Sequence, residues 1–312
     1  MRAVWLREFG GPEMLVEGYA ADPVPGPGQA LVEVAFAAVH FVETMVRSGG
    51  WRPDAVKLPM IPGNGVGGVI SRIGEGVDPA LVGRRVVTAT GGSGAYAQRV
   101  AVDADGVFEV PEGLALDTAV ALFGDGRTAT ALMRATAVAP GERVLVEAAA
   151  GGVGSVLVQL AKAAGAEVVG AAGGPAKLAR VRESGADVAV DYREPGWTAE
   201  VGEVDVVFDG VGGEIGTAAA GLVRPGGRMA MFGLAAGSWA EVSEEDAQAR
   251  GVTLLRPLGK ADLRACTEFA LTEAAAGRLV PVIGQRFPLE RAGDAHAAIE
   301  SRATVGRTLL VA

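Results

Sequence analysis

The 312-residue chain has a single cysteine, Cys266, and only two histidines, His40 and His296. One cysteine excludes an internal disulfide and fits a reducing compartment, so a cytoplasmic protein is expected. It also excludes a thiolate-rich structural zinc cluster. Positive charge is not in excess. The net charge of −9 argues against nucleic acid or an anionic membrane surface as the main partner. No apolar run reaches the ~18 residues of a spanning helix. The opening Met1-Arg-Ala-Val-Trp-Leu6 is too short for a signal peptide core and leads into a polar segment. Internal repeats and low-complexity tails are missing too. What is present is 49% hydrophobic residues in short runs and 47 glycines, the composition of a soluble globular chain with tight turns and closely packed helices. The length suggests two domains.

The most informative stretch is Arg143-Val-Leu-Val-Glu-Ala-Ala-Ala-Gly-Gly-Val-Gly-Ser155. An apolar run over 143–148 predicts a buried strand. Val156, Leu157, Leu160, Ala161 and Ala164 recur at helical spacing, predicting a helix over 154–164. Between them lie Gly151, Gly152 and Gly154. Strand, glycine turn, helix is the arrangement that holds a dinucleotide pyrophosphate, because the backbone can approach the phosphates and the free N–H groups favour negative charge. The spacing departs from G-x-G-x-x-G, and a tight structural turn is the alternative. A second strand at Glu167–Ala172 completes a βαβ unit and favours the nucleotide. No Gly-Lys-Ser/Thr closes the loop, which excludes a phosphate-only P-loop.

That second strand ends without the acid that usually accepts from a ribose 2′-hydroxyl ~20 residues past the glycines. It is followed by Gly173, Gly174, Lys177 and Arg180. Small residues and cations suit a 2′-phosphate, so NADPH is favoured over NADH. A solvated helix face is the alternative for the two cations.

The first ~110 residues read as short strands with glycine turns, a barrel-like pattern: Ala3–Leu6, Gln29–Ala38, Val66–Ile73, Arg85–Thr90, Ala95–Val102 and Val107–Glu109. Helices are predicted at Asp117–Leu122 and Thr128–Ala137. Strands and helices then alternate to residue 232, the signature of a doubly wound parallel sheet. Asp262–Ala276 reads as a helix. The tail reads strand, helix, strand over Val282–Phe287, Ala292–Ser301 and Arg307–Val311. Periodicity does not decide which sheet takes the last strand.

The ordered set Gly10-Gly-Pro-Glu-Met-Leu15, Pro62-Gly-Asn-Gly-Val-Gly-Gly-Val69, Gly94-Ala-Tyr-Ala-Gln98, Ala148–Ser155, Asp205–Gly213 and Arg224-Pro-Gly-Gly-Arg228 resembles the zinc-independent, zeta-crystallin-like quinone oxidoreductases of the medium-chain dehydrogenase/reductase superfamily. The resemblance implies an α/β chain with a GroES-like β-barrel domain over 1–115 and 283–312 and a Rossmann domain over 116–282. It implies a homodimer, with NADPH between the domains. Gly151, Gly152, Val153 and Gly154 would face the pyrophosphate, with Lys177 at the 2′-phosphate and Tyr192 on the adenosine end. Gly173 and Gly174 stand where many relatives have serines. Thr128 and Phe232-Gly233-Leu234 match stretches bordering the nicotinamide, and Arg307 a basic position near the phosphate end.

No metal site is expected. Zinc-dependent relatives need Cys, His and carboxylate ligands in the barrel domain, and Gly65 stands where they carry an acid. The family's active-site stretch matches Ala37–Gly49, but His40 replaces Asn, Glu43 replaces Asp and Met45 replaces an aromatic residue. His40 could hydrogen-bond an acceptor's carbonyl or deliver a proton, or simply shape the pocket. Glu43 could orient His40 or pair with Arg47 at i+4. His296 and Cys266 read as structural. Three functions follow: NADPH-dependent reduction of a quinone or similar conjugated carbonyl, reduction of an enone or alkenal C=C bond, as in secondary metabolism, and NADPH binding without catalysis.

Overall fold

The computed structural model describes residues 1–312, apart from the side chain of Lys260. The apolar run Ala3–Leu6 forms β1 (Arg2–Leu6), which pairs antiparallel with β2 (Leu15–Tyr19). The 11-residue β3 (Gln29–Val39) is the spine of a second sheet and runs straight into α1 (Phe41–Ser48). It pairs antiparallel with β4 (Gly65–Ile73), which in turn pairs with β5 (Arg85–Ala89). β6 (Arg99–Asp103) returns to β3, and the two-residue β7 (Phe108–Glu109) borders β5. Ala95–Gln98, expected in a strand, is not part of the ladder. There Tyr96 receives the Val4 amide and donates its own to Pro62, so the segment ties β1 to a loop instead.

α2 (Leu116–Thr136) is one helix, where the sequence predicted two. Gly124 and Gly126 lie between the two predicted segments, but Phe123 and Asp125 are buried, and packing overrides the low helix propensity of glycine. Then follow β8 (Arg143–Val146), α3 (Gly152–Ala163), β9 (Glu167–Ala172), α4 (Pro175–Glu183), β10 (Val188–Asp191) and α5 (Trp197–Val201). After them come β11 (Val204–Asp209), α6 (Gly213–Ala220), β12 (Val223–Met231), α7 (Glu244–Ala249), β13 (Thr253–Leu255) and α8 (Leu263–Ala275). The six strands pair in parallel in the order β10-β9-β8-β11-β12-β13. Connections from β8 run one way to β9 and β10, then return to β11 on the other side. The topological switch point is therefore the carboxyl end of β8, the place where open parallel sheets bind ligands.

The tail forms β14 (Ile283–Pro288), α9 (Ala292–Glu300) and β15 (Arg307–Val311). β15 lies parallel to β14 and antiparallel to β3, with Thr308 opposite Val39, so the last strand joins the N-terminal sheet. The chain divides into two units, Met1–Gly124 with Leu271–Arg278 and Val282–Ala312, and Asp125–Ala270 with Leu279–Pro281. The first buries Val4, Leu6, Val32, Val66, Ile70 and Tyr96 around its sheet. The second buries Leu145, Val169, Val207 and Met229. Each such aliphatic side chain contributes roughly 1.5–3 kcal/mol on burial. Among the described residues no helix is long and apolar enough to cross a membrane.

Candidate functional site

In the second unit the loops after β8, β9, β11 and β12 all leave the carboxyl edge of one parallel sheet. Gly151 is the N-cap of α3 in extended backbone and supplies no side-chain cap, so the first-turn amides of Gly152, Val153 and Gly154 carry the positive end of the helix. Close packing requires glycine here. A Cβ on Gly154 would lie 2.3 Å from the Ala148 carbonyl oxygen, and one on Gly152 would lie 2.1 Å from Oδ2 of the buried Asp125. The turn thus has the open amides and close backbone approach that a pyrophosphate needs. Thr128 sits half-buried in α2 of this unit.

One step along the edge, Lys177 lies in the first turn of α4 and its amide donates to the Gly174 carbonyl at 3.1 Å. Tyr192 and Arg193, after β10, reach back over the glycines. A Cβ on Gly173 would meet Tyr192 Cε2 at 3.4 Å and Arg193 Cδ at 3.1 Å. Tyr192 therefore lies against Gly173, with the Lys177 backbone in the helix turn that follows. Arg180 does not join them: it is exposed and its Nη1 donates to Glu183 at 2.6 Å. On the other side of β8, the Phe232 and Gly233 amides both donate to the Asp209 carbonyl, at 2.9 and 3.2 Å, folding Phe232-Gly233-Leu234 over the end of β11.

In the first unit His40 ends β3 as the N-cap of α1, in extended backbone. Its amide donates to Glu43 Oε2 at 2.8 Å and its Nδ1 lies 3.2 Å from Glu43 Oε1. Glu43 also accepts from the Asn64 amide at 3.0 Å and the Tyr96 hydroxyl at 2.8 Å. Burial pushes the Glu43 carboxyl up, but the charge and hydrogen bonds of His40, with the Tyr96 bond, outweigh it and hold the group below its ordinary value. An ionised carboxylate only accepts, so His40 carries its proton on Nδ1. Nε2 passes close to Gly124, where a Cβ would stand 2.7 Å away. The His40 side chain is 23% exposed and that of Glu43 8%.

Behind Glu43 the Tyr96 hydroxyl lies 3.0 Å from His296 Nε2, the rings meeting edge to face. Since Tyr96 gives its proton to Glu43, His296 donates through Nε2. Burial, aided by Arg47 and opposed by Glu43, lowers the His296 pKa to about 4. The alternative ion pair of Glu43 with Arg47 is not formed: the buried Arg47 donates to the Gly10 carbonyl and to Glu300.

Arg307 corrects the sequence reading. Its side chain is buried in the first unit and Nη1 donates to the Val39 carbonyl at 2.8 Å. Burial lowers its pKa to about 10, with Glu43 and Tyr96 drawing it back up. Its guanidinium balances the Glu43 cluster and does not present itself to an outside phosphate.

Sequence reasoning missed several charged groups. Tyr96 lay in a quoted motif, but nothing local announced that it touches Glu43, 53 residues away. Glu147 was visible as an acid inside an apolar run. It is fully buried at the end of β8, and burial followed by the charge of Asp209 raises its carboxyl well above the ordinary value. Arg193 carried no periodic signal. Its proximity to Gly173 comes from the parallel pairing of β9 and β10.

Comparison with known proteins covers the whole chain. Residues 26–112 match the alcohol dehydrogenase GroES-like domain and residues 184–310 the family described as zinc-binding dehydrogenase. A quinone oxidoreductase of Salmonella typhimurium is 33% identical, covering 98% of each chain. A 2-haloacrylate reductase of a Burkholderia species is 30% identical, covering 99% of this chain and 98% of its own. The solved structure of Escherichia coli quinone oxidoreductase complexed with NADPH is 30% identical over the whole of both chains, with a TM-score of 0.92.

Proposed function

The chain belongs to the quinone oxidoreductase family of the medium-chain dehydrogenases and reductases, and on that premise we propose that it reduces a conjugated carbonyl acceptor with NADPH and without a metal ion. End-to-end similarity to quinone oxidoreductases, one of them solved with NADPH, carries this reading. The glycine turn at the switch point fits the dinucleotide, since the first-turn amides of α3 have no side-chain cap and stand at the carboxyl end of β8. NADPH supplies a hydride when bound.

The protein's part is binding, orientation and proton handling. The open amides of Gly152, Val153 and Gly154 would hold the pyrophosphate, with Gly151, whose own amide donates to the Ala148 carbonyl, shaping the turn beneath it. Gly173, Gly174, Lys177 and Tyr192 take the adenosine 2′-phosphate end. Thr128 and Phe232-Gly233-Leu234 border the nicotinamide. His40, kept in one tautomer by Glu43, directs Nε2 to the acceptor's oxygen. As imidazolium it donates there, stabilises the developing enolate or quinolate, and gives up its proton, while the Glu43 carboxylate steadies its charge. A conjugated acceptor spreads incoming charge, so this help suffices without a Lewis acid. The residue inventory supports the same view: the one cysteine is buried in α8 beside Arg134, and each histidine already has a protein partner.

Reduction of an activated C=C bond is the second reading. It is favoured by the 2-haloacrylate reductase among the relatives and by Met45, which replaces a family aromatic residue. A steady-state panel of quinones, enones and enals with NADPH decides. Best turnover of a quinone supports the first reading, and an enone or enal turned over far faster supports the second. NADPH binding with no turnover of any member overturns both in favour of a non-catalytic role.

A further inference from the structure

Two glycines follow β9 where many relatives carry serines, and the structure puts a guanidinium over them. A Cβ on Gly174 would stand 2.8 Å from Arg193 Nη2, and one on Gly173 3.3 Å from Arg193 Nε. Gly174 has φ +93°, a backbone that a serine adopts only under strain. Arg193 is held in place by a fork: Nε donates to Asp191 Oδ1 at 3.0 Å and Nη2 to Asp191 Oδ2 at 2.8 Å. The same Asp191 accepts from the Gly174 amide at 2.8 Å and the Arg193 amide at 3.0 Å. One carboxylate thus locks the glycine turn and the arginine to each other. Hydrogen bonding to Arg193, which outweighs burial, keeps it ionised, with a pKa of about 2. The Arg193 side chain remains 57% exposed.

The end of the second strand of a βαβ unit is where a dinucleotide's adenosine ribose is read, and an arginine there accepts a 2′-phosphate. We propose that Arg193, positioned by Asp191 and admitted by Gly173 and Gly174, is a specificity residue for the 2′-phosphate, replacing the hydrogen bonds that serines would give. This rests on the NADPH reading above. Arg193 stands over the turn from the end of β10, and Lys177 belongs to the first turn of α4, so two elements contribute cations beside the same glycines. The Nε and Nη2 edge is taken by Asp191, which fixes the plane of the guanidinium and leaves Nη1 to meet a phosphate oxygen with a charge-assisted hydrogen bond.

The test measures dissociation constants for NADPH and NADH with the wild type, Arg193→Gln and Gly173→Ser. Arg193→Gln should weaken NADPH about tenfold, the scale of a lost charge-assisted bond, and move NADH by less than about twofold. Gly173→Ser, which crowds Arg193 Cδ and Nε, should reduce the NADPH preference in the same direction. Equal weakening of both coenzymes by Arg193→Gln would mean a structural role and overturn the inference. A wild-type preference for NADPH that survives Arg193→Gln also overturns it, leaving the cofactor reading intact. A wild type that binds both coenzymes equally removes the cofactor reading and the inference with it.

Discussion

His40 has its Nδ1 on Glu43 and its Nε2 past Gly124, so its proton chemistry is separable from coenzyme binding. His40→Asn, the residue usual in the family, should lower kcat about a hundredfold, as expected for loss of a positioned acid, while the NADPH dissociation constant changes by less than about twofold. Stopped-flow turnover with equilibrium titration checks this, and unchanged kcat returns His40 to a pocket-shaping role. His296 makes a different prediction. Burial holds its folded pKa at about 4, below the ordinary 6.5. The unfolded chain therefore binds that proton first as the medium turns acid. The stability is intact above about pH 6.5 and is lost as pH falls from there through about 4, by about 3 kcal/mol in all. Urea unfolding of wild type and His296→Gln across that window should show the extra loss only in the wild type. Parallel pH slopes would refute it. Little of this cluster was legible beforehand. The His40 and Glu43 pair was visible at three-residue spacing, but its continuation through Tyr96 to His296 spans 200 residues and exists only because α9 packs in the same unit.

Among elements, the βαβ run from β8 to β10 was the most legible, because strand and helix periods differ and the glycine turn marks their junction. The segments it obscured are those where tertiary contacts override local signals. α2 runs through two glycines because its neighbours bury it, and β2 and β13 are short and made by pairing. α1 was hidden inside the motif it carries. The ends of β8 and β11 hold Glu147 beside Asp209, two acids in an apolar setting. Glu147 keeps its proton in the folded state far above the pH at which the unfolded chain releases it. Its contribution to stability is therefore complete below the ordinary carboxyl pKa and declines as pH rises. Glu147→Gln copies the protonated form and should be more stable than wild type above neutrality, with the gain vanishing toward pH 4.5. Thermal melts over that range test the sign, and a gain that grows toward acid would contradict it.

For the whole molecule, the last strand shows what sequence periodicity leaves open. Arg307–Val311 reads as a strand for either sheet, and only pairing with β3 assigns it to the N-terminal one. The six-stranded parallel sheet keeps β13 at an edge, a strand whose outer side could pair with a second copy in the homodimer that the family resemblance implies. Sedimentation equilibrium should return twice the chain mass, and Leu254→Pro should shift it to the single chain if that edge is the contact. An unshifted dimer moves the contact elsewhere. Metal-free use of NADPH is tested most directly by a single turnover. Chelator-treated, zinc-free protein is loaded with stoichiometric NADPH and mixed with the best acceptor of the panel. One equivalent of NADPH should be oxidised at the same rate before and after chelation, and added zinc should not accelerate it. Loss of the turnover on chelation, with recovery on returning zinc, would contradict it.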